Sequence, residues 1–350
     1  MPLSEIKSNF KIGMLSYFLI FFLIFSFLII YISNKKNLFI DFKIEKHKRF
    51  SSTKKTLSIG GIIFFTYCLF LFFEKNYFDL SFMIFLSIIF FLGFFSDIKV
   101  FKSPKLRFLL QFILLILFII IEDFQIPSSN IYIIDFFLNN TYFNKSFTIF
   151  CLMILLNGNN FIDGINTLLI GYNIILTAFL LTTFNELLHN PEILKDYLIV
   201  LLVLLFFNLN GKVILGDAGA YILAFFLGIY LIDFARANPY LSPFFIISLL
   251  WYPCFELLFS IIRRLKYLKK TYEPDTQHLH QLMYKYFSIK IRNNQIAHLC
   301  VSISINCYFL LSLVINKIYG YKSSVIIVFL IMNIIIYLIS YFFFKKKIKN

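Results

Sequence analysis

The stretch Leu80–Asp97, LSFMIFLSIIFFLGFFSD, decides what kind of protein this is. It carries no charge until its last residue, and a helix of about 20 such residues crosses the hydrocarbon core of a bilayer. Similar apolar segments recur near 14–33, 58–73, 80–96, 107–121, 146–157, 165–184, 196–209, 218–236, 243–262, 295–317 and 324–344, the fifth of them short. Hydrophobic residues make up 60% of the 350 and aromatic residues 20%, which excludes an ordinary soluble globular chain. The expectation is an all-α, polytopic integral membrane protein with about eleven transmembrane helices. Little chain is left between the segments, so residues 1–350 are read as a single membrane domain.

The net charge of +15 raises the question of nucleic acid, and its distribution answers it. Eight Lys and Arg fall in 34–57, four in 97–107, one in 208–217, eight in 263–294 and four in the C-terminal tail. These alternate loops therefore hold 25 of the 33 basic residues. Basic residues are retained on the cytoplasmic side. The pattern predicts the N-terminus outside, the C-terminus inside and no nucleic-acid partner. The five cysteines are scattered without a CxxC pair, so neither a disulfide framework nor a zinc site is expected. The first segment lacks a small-residue cleavage site and is read as a retained helix, not a signal peptide.

Polar clusters concentrate in the same inward loops, near 34–57, 97–107, 157–166, 208–219 and 263–294. Ser96-Asp97-Ile98-Lys99 is followed by Ser103-Pro104-Lys105-Leu106-Arg107. Asn157-Gly158-Asn159-Asn160-Phe161-Ile162-Asp163-Gly164 ends one span, and Gly216-Asp217-Ala218-Gly219 begins another. Asp275-Thr276-Gln277-His278-Leu279-His280-Gln281 follows the basic run that includes Arg263 and Arg264. Ionisable residues at membrane depth usually mark a functional site. Asp97, Asp163 and Asp217, one from each of three loops, suit a hard divalent cation, which takes one or two carboxylates together with substrate phosphates. Glycines at these turns allow close backbone approach, and a helix beginning there favours phosphate. Taken singly, Asp217 reads as a helix cap, Gly60-Gly61 as close packing, and each histidine as an exposed loop residue. His278 and His280 are two positions apart, so both reach one ligand only from a loop or a helix start.

Together these motifs resemble the polyprenyl-phosphate N-acetylhexosamine-1-phosphate transferases, the WecA/TagO/MraY-like enzymes of glycosyltransferase family 4. The match covers about residues 41 to 282 and looks most like the WecA/TagO branch. It rests on Gly60-Gly61, Asp97, the NxxNxxDG run from Asn157 to Gly164, GDxG at Gly216–Gly219, and the histidine box. The resemblance implies transfer of a sugar-1-phosphate from a UDP-sugar to polyprenyl phosphate, with release of UMP, at the cytoplasmic face of the inner membrane. It implies Asp97, Asp163 and Asp217 as catalytic residues, and Mg²⁺, with Mn²⁺ as a substitute, held by Asp217, Asp163 and Asn157. It implies substrate contacts from Lys99, Asn157, Asn160, Gly164, Arg264, His278, His280 and Gln281, and leaves a homodimer open. Four positions depart from the family pattern: Ser58 replaces an Arg, Ser96 the first of two adjacent carboxylates, Ala220 a Ser, and Gln281 the last histidine. A lipid-linked-sugar flippase would instead place charges through the span interiors, where Glu256 is the main one. An inactive scaffold of a glycan-assembly complex is the third reading.

Overall fold

One helix, Gly216–Ala237, lies at the centre of the molecule, with 89% of its most apolar window buried, and the others are arranged around it. Its first half is built from small residues, Gly216, Ala218, Gly219, Ala220 and Ala224, which let neighbouring backbones approach closely. The structure, a computed structural model, describes residues 3–41, 56–75, 77–266 and 276–349. The loop holding His47, Lys48 and Arg49, and the segment holding Lys269, Lys270 and Asp275, lie outside the described residues.

In chain order the helices are α1 Leu3–Lys36, α2 Gly60–Lys75, α3 Leu80–Asp97, α4 Pro104–Ile121, α5 Tyr132–Leu138, α6 Thr141–Ile162 and α7 Leu168–Thr183. They continue as α8 Pro191–Leu209, α9 Gly216–Ala237, α10 Pro243–Leu249, α11 Trp251–Lys266, α12 Leu279–Lys290, α13 Asn294–Tyr319 and α14 Ser323–Lys349. The chain is thus all-α except for a minimal sheet of β1 Ile40–Asp41, β2 Thr56–Ser58 and β3 Val213–Ile214. In it β2 pairs antiparallel with β1 and parallel with β3, with Ser58 opposite Ile214. That register brings Ser58 to the start of α9.

Each of the eleven apolar segments falls on a helix. The fifth is longer than its hydropathy suggests, since α6 begins at Thr141. Its polar first turns are held by structure: Asn140 caps the helix by accepting from Phe143 N at 3.0 Å, and buried Asn144 bonds both backbone groups of Ile126. The ninth segment is two helices, α10 and α11, meeting at 78°. Pro253 in the first turn of α11 has no N–H to offer the preceding chain, so the helix restarts there instead of running through. Among the described residues, α3, α4, α9, α13 and α14 are long and apolar enough to cross a membrane, and the bent pair makes a sixth. The chain is a multi-pass membrane protein.

Close packing on α9 follows its small residues. A Cβ on Gly61 of α2 would lie 2.8 Å from Ala218 Cβ, and one on Gly228 would lie 2.9 Å from Leu152 of α6. Gly93 of α3 sits directly on the Ala218 backbone. The double glycine is therefore a packing feature, as its local reading suggests. Helices α2, α3 and α6 pack on α9, α11 packs on α6, and α12 packs on α13 and α14. The ends of α3, α6 and α11 and the starts of α4, α9 and α12 carry the polar clusters.

Candidate functional site

The start of α9 is where three distant segments converge. Gly216 has a positive φ of 73°, and a Cβ there would stand 2.6 Å from Asp97 Oδ2, so only glycine fits both the backbone and the space. The first N–H groups of a helix have no partner within it. Here Asp163 Oδ2 accepts from Gly216 N at 3.2 Å, Asp97 Oδ1 from Asp217 N at 2.9 Å, and Asp97 Oδ2 from Ala218 N at 3.1 Å. Two carboxylates from the ends of α3 and α6 thus cap a third helix, where the N-terminal dipole favours negative charge. The phosphate-binding helix start expected from the glycines is instead occupied by aspartates.

Asp217 itself is not a cap. Its side chain extends from the first turn of α9, half-buried, and Oδ2 accepts from Ser96 Oγ at 2.5 Å and from the Arg107 guanidinium. Arg107 Nη1 also donates to Ser96 Oγ at 2.5 Å. Ser96 therefore stands between a cation and an anion, accepting from one and donating to the other. The helix α4 aims Arg107: Ser103 accepts from Leu106 N at 3.4 Å as its cap, and Pro104 opens it with the φ that a first turn needs.

A second row runs from Asp217 along α9 to Tyr221, one turn on. Asn160 Nδ2 donates weakly to Tyr221 Oη at 3.4 Å, and Asn157 Nδ2 donates to Gln111 Oε1 at 3.0 Å and to Met153 O at 2.9 Å. Gln111 is one turn after Arg107 on α4. The two amides of the Asn-rich motif thus bind α6 to α4 and α9 on one face.

The terminus of α6 also meets the histidine box, through Phe161 one turn after Asn157. The Arg264 guanidinium lies over the Phe161 ring at 5.7 Å, and the His278 ring meets Phe161 at a tilt of 58° with centroids 4.8 Å apart. His278 is the N-cap residue of α12, which is the helix start that both histidines required. The two imidazoles lie nearly parallel, with centroids 5.5 Å apart. Beneath them is Glu256 of α11, fully buried. It faces His278 Nδ1 at 2.9 Å and accepts from Tyr337 Oη at 2.9 Å and from Leu279 N at 3.3 Å. His280 Nδ1 lies 3.8 Å from the same carboxylate and 3.3 Å from Tyr252 Oη. Gln281 turns back so that its Oε1 accepts from His278 N at 3.5 Å, and its Nε2 would lie 4.0 Å from a Cβ on Gly164. Gly164 is exposed beside it, leaving room for a ligand group. Arg263, next to Arg264, is a structural clamp that donates to Gln277 O, to Ser260 Oγ at 3.1 Å and to Tyr341 Oη at 3.2 Å.

The structure therefore unites Asp97, Asp163 and Asp217 directly and joins Gly164, Arg264, His278, His280 and Gln281 into a neighbouring cluster through Phe161. Asn157 and Asn160 connect the first group to α4. Lys99, in a left-handed turn at φ 63°, is held at the end of α3 by its backbone N–H on Ser96 O at 2.9 Å. Arg107, Gln111, Tyr221 and Glu256 were not singled out as site residues by sequence. Their signal was an i, i+4 polar spacing inside apolar helices: Arg107 and Gln111, Asp217 and Tyr221, Tyr252 and Glu256.

Among the described residues no group of three His, Cys, Asp or Glu is arranged to hold a metal ion. Asp217 alone fits the one-carboxylate requirement of Mg²⁺, because its partners are side chains that can move, whereas Asp97 and Asp163 hold backbone N–H groups.

The three aspartates lie within a segment that is similar to known proteins. Residues 80–235 match the family model described as glycosyl transferase family 4. The chain is also 28% identical over 152 residues to the undecaprenyl-phosphate alpha-N-acetylglucosaminyl 1-phosphate transferase of Thermotoga maritima. That alignment covers 43% of this chain and 45% of the relative. The matched segment 80–235, which contains Asp97, Asp163 and Asp217, is similar to glycosyl transferase family 4.

Proposed function

We propose that this protein transfers a sugar-1-phosphate, of the N-acetylhexosamine class, from a UDP-sugar to polyprenyl phosphate and releases UMP. The observation that carries the reading is the convergence of Asp97, Asp163 and Asp217 at the start of α9, with the Arg264–histidine cluster beside it. An oxygen of the lipid phosphate attacks the sugar-bearing phosphorus. The P–O bond to the UMP phosphate breaks, and its electron pair leaves on UMP. A phosphate monoester has its second pKa near 6, so the nucleophile is largely ionised at neutral pH without a protein base. Catalysis then reduces to alignment and charge neutralisation.

In this reading Asp97 and Asp163 fix the position of α9, and Asp217 holds Mg²⁺, which neutralises charge on the diphosphate when bound. Arg264, over Phe161, and the histidines on Glu256 contact the sugar or phosphate. Lys99 supplies positive charge at the rim. Eleven crossings with the N-terminus outside would place all of these groups at the cytoplasmic face, where nucleotide sugars are made. A flippase is less well supported: Glu256, the carboxylate within a span, is fully enclosed by His278, Tyr337 and the start of α12 and does not line a path.

The test is conversion of undecaprenyl phosphate to a lipid diphosphate-sugar by the purified chain with radiolabelled UDP-N-acetylglucosamine, then with other UDP-hexosamines. Labelled lipid supports the proposal. No product from any UDP-hexosamine, in protein shown to be folded, would leave the scaffold reading in its place.

A further inference from the structure

We infer that Arg107, presented through Ser96, is a built-in counter-cation that competes with a divalent metal ion for Asp217. This rests on the proposal that Asp217 is the metal-holding carboxylate. Its own basis is the triad geometry: one oxygen, Asp217 Oδ2, accepts from both the Arg107 guanidinium and Ser96 Oγ. Arg107 also bonds Ser96 at 2.5 Å, so the hydroxyl fixes the guanidinium in place and the two donors act as a unit. The side chains of Arg107 and Asp217 are only 23% and 13% exposed, so solvent weakens their attraction less than at an open surface. Both lone pairs of Oδ2 are used by these donors, so a divalent cation that takes Oδ2 displaces one of them, and one that takes Oδ1 meets the charge of the guanidinium on the same carboxylate. A hydroxyl at position 96 also carries no negative charge, which lowers the attraction of the site for free cations. The consequence is a centre that binds an isolated divalent ion weakly and binds it well only when a diphosphate supplies further oxygens and a second partner for Arg107.

The test is Mn²⁺ binding to the full chain in detergent, without substrate, followed by electron paramagnetic resonance. The variants are Arg107→Gln, Arg107→Lys, Ser96→Asp and Asp217→Asn, each shown to be folded by its melting curve. Arg107→Gln is expected to tighten Mn²⁺ binding about ten-fold, an ordinary size for coupling between ligands at neighbouring sites. Ser96→Asp is expected to tighten it as well, and Arg107→Lys to stay near wild type. Unchanged or weaker Mn²⁺ binding in Arg107→Gln overturns the inference, even where Asp217→Asn abolishes binding and so upholds Asp217 as the ligand. Equal and detectable binding by wild type and Asp217→Asn removes the metal role of Asp217 and the inference with it. Detectable binding that appears only when Arg107 is replaced supports the competition.

Discussion

Replacing Asp97 by Asn separates the residue that builds the site from the one that acts in it. Asp97 accepts two backbone N–H groups at the start of α9, and Asn keeps only one acceptor oxygen and no charge. One charge-assisted hydrogen bond contributes about 1.5–3 kcal/mol, and the loss of an anion at a helix N-terminus adds up to about 1 kcal/mol. Asp97 is only half-buried, so water replaces part of this, and the net loss is about 2 kcal/mol. Asp217→Asn touches no backbone N–H. It weakens one partly exposed ion pair with Arg107, for a loss below about 1 kcal/mol. Melting of the detergent-solubilised protein, followed by fluorescence, ranks the two. Asp97→Asn should lower the midpoint by roughly 3 °C, and Asp217→Asn should leave it within about 1 °C of wild type. If Asp217→Asn is the more destabilised, or Asp97→Asn melts as wild type does, the assignment of capping to Asp97 and chemistry to Asp217 fails.

Glu256→Ala leaves His278, Tyr337 and Leu279 N without their shared acceptor inside the protein and should cost about 3 kcal/mol or more, with Glu256→Gln markedly milder. Equal melting midpoints for the two would show that the carboxylate is not the anchor of the histidine box. Gly216→Ala places a Cβ against Asp97 Oδ2 at a φ of 73° and should destabilise by at least about 2 kcal/mol, visible as loss of folded yield. Gly164→Ala meets nothing closer than 3.6 Å and should fold normally, so any loss of nucleotide-sugar affinity in it reports ligand contact. Phe161→Leu removes the ring under Arg264 and His278, and is expected to raise KM for the UDP-sugar about three-fold or more with little change in melting. A KM unchanged within error would detach Arg264 from the substrate.

The helices were legible because lipid-facing and core-facing positions are both apolar, so segments such as 80–96 are continuous in sequence and reappear as Leu80–Asp97. What hydropathy could not convey was satisfied polarity. The start of α6 looks like a loop until Asn144 is seen bonding the Ile126 backbone, and the α10–α11 bend depends on a single proline in a first turn. Helix α5 is too short, and α12 too short and too polar, to register as a span. The three aspartates were legible as a group through their shared small-residue and amide surroundings. Their division of labour was not, because nothing local to Asp97 or Asp217 reveals which backbone or guanidinium it meets. Arg107 lies 110 positions from Asp217, and only the packing of α4 beside α3 and α6 brings them together. The Ser96 substitution reads as a loss in sequence, whereas in three dimensions its hydroxyl fills a defined place between the two.

The most direct test of the account is UMP release by the purified chain with undecaprenyl phosphate, UDP-N-acetylglucosamine and Mg²⁺, with Asp217→Asn measured in parallel on protein of matched melting midpoint. The account predicts release that requires both the lipid and the metal ion and falls by about a hundred-fold or more in the variant, as expected when an electrostatic transition-state contact is removed. Release that persists in Asp217→Asn at the wild-type rate would contradict it, because the centre at the start of α9 would then not be where the phosphosugar is transferred.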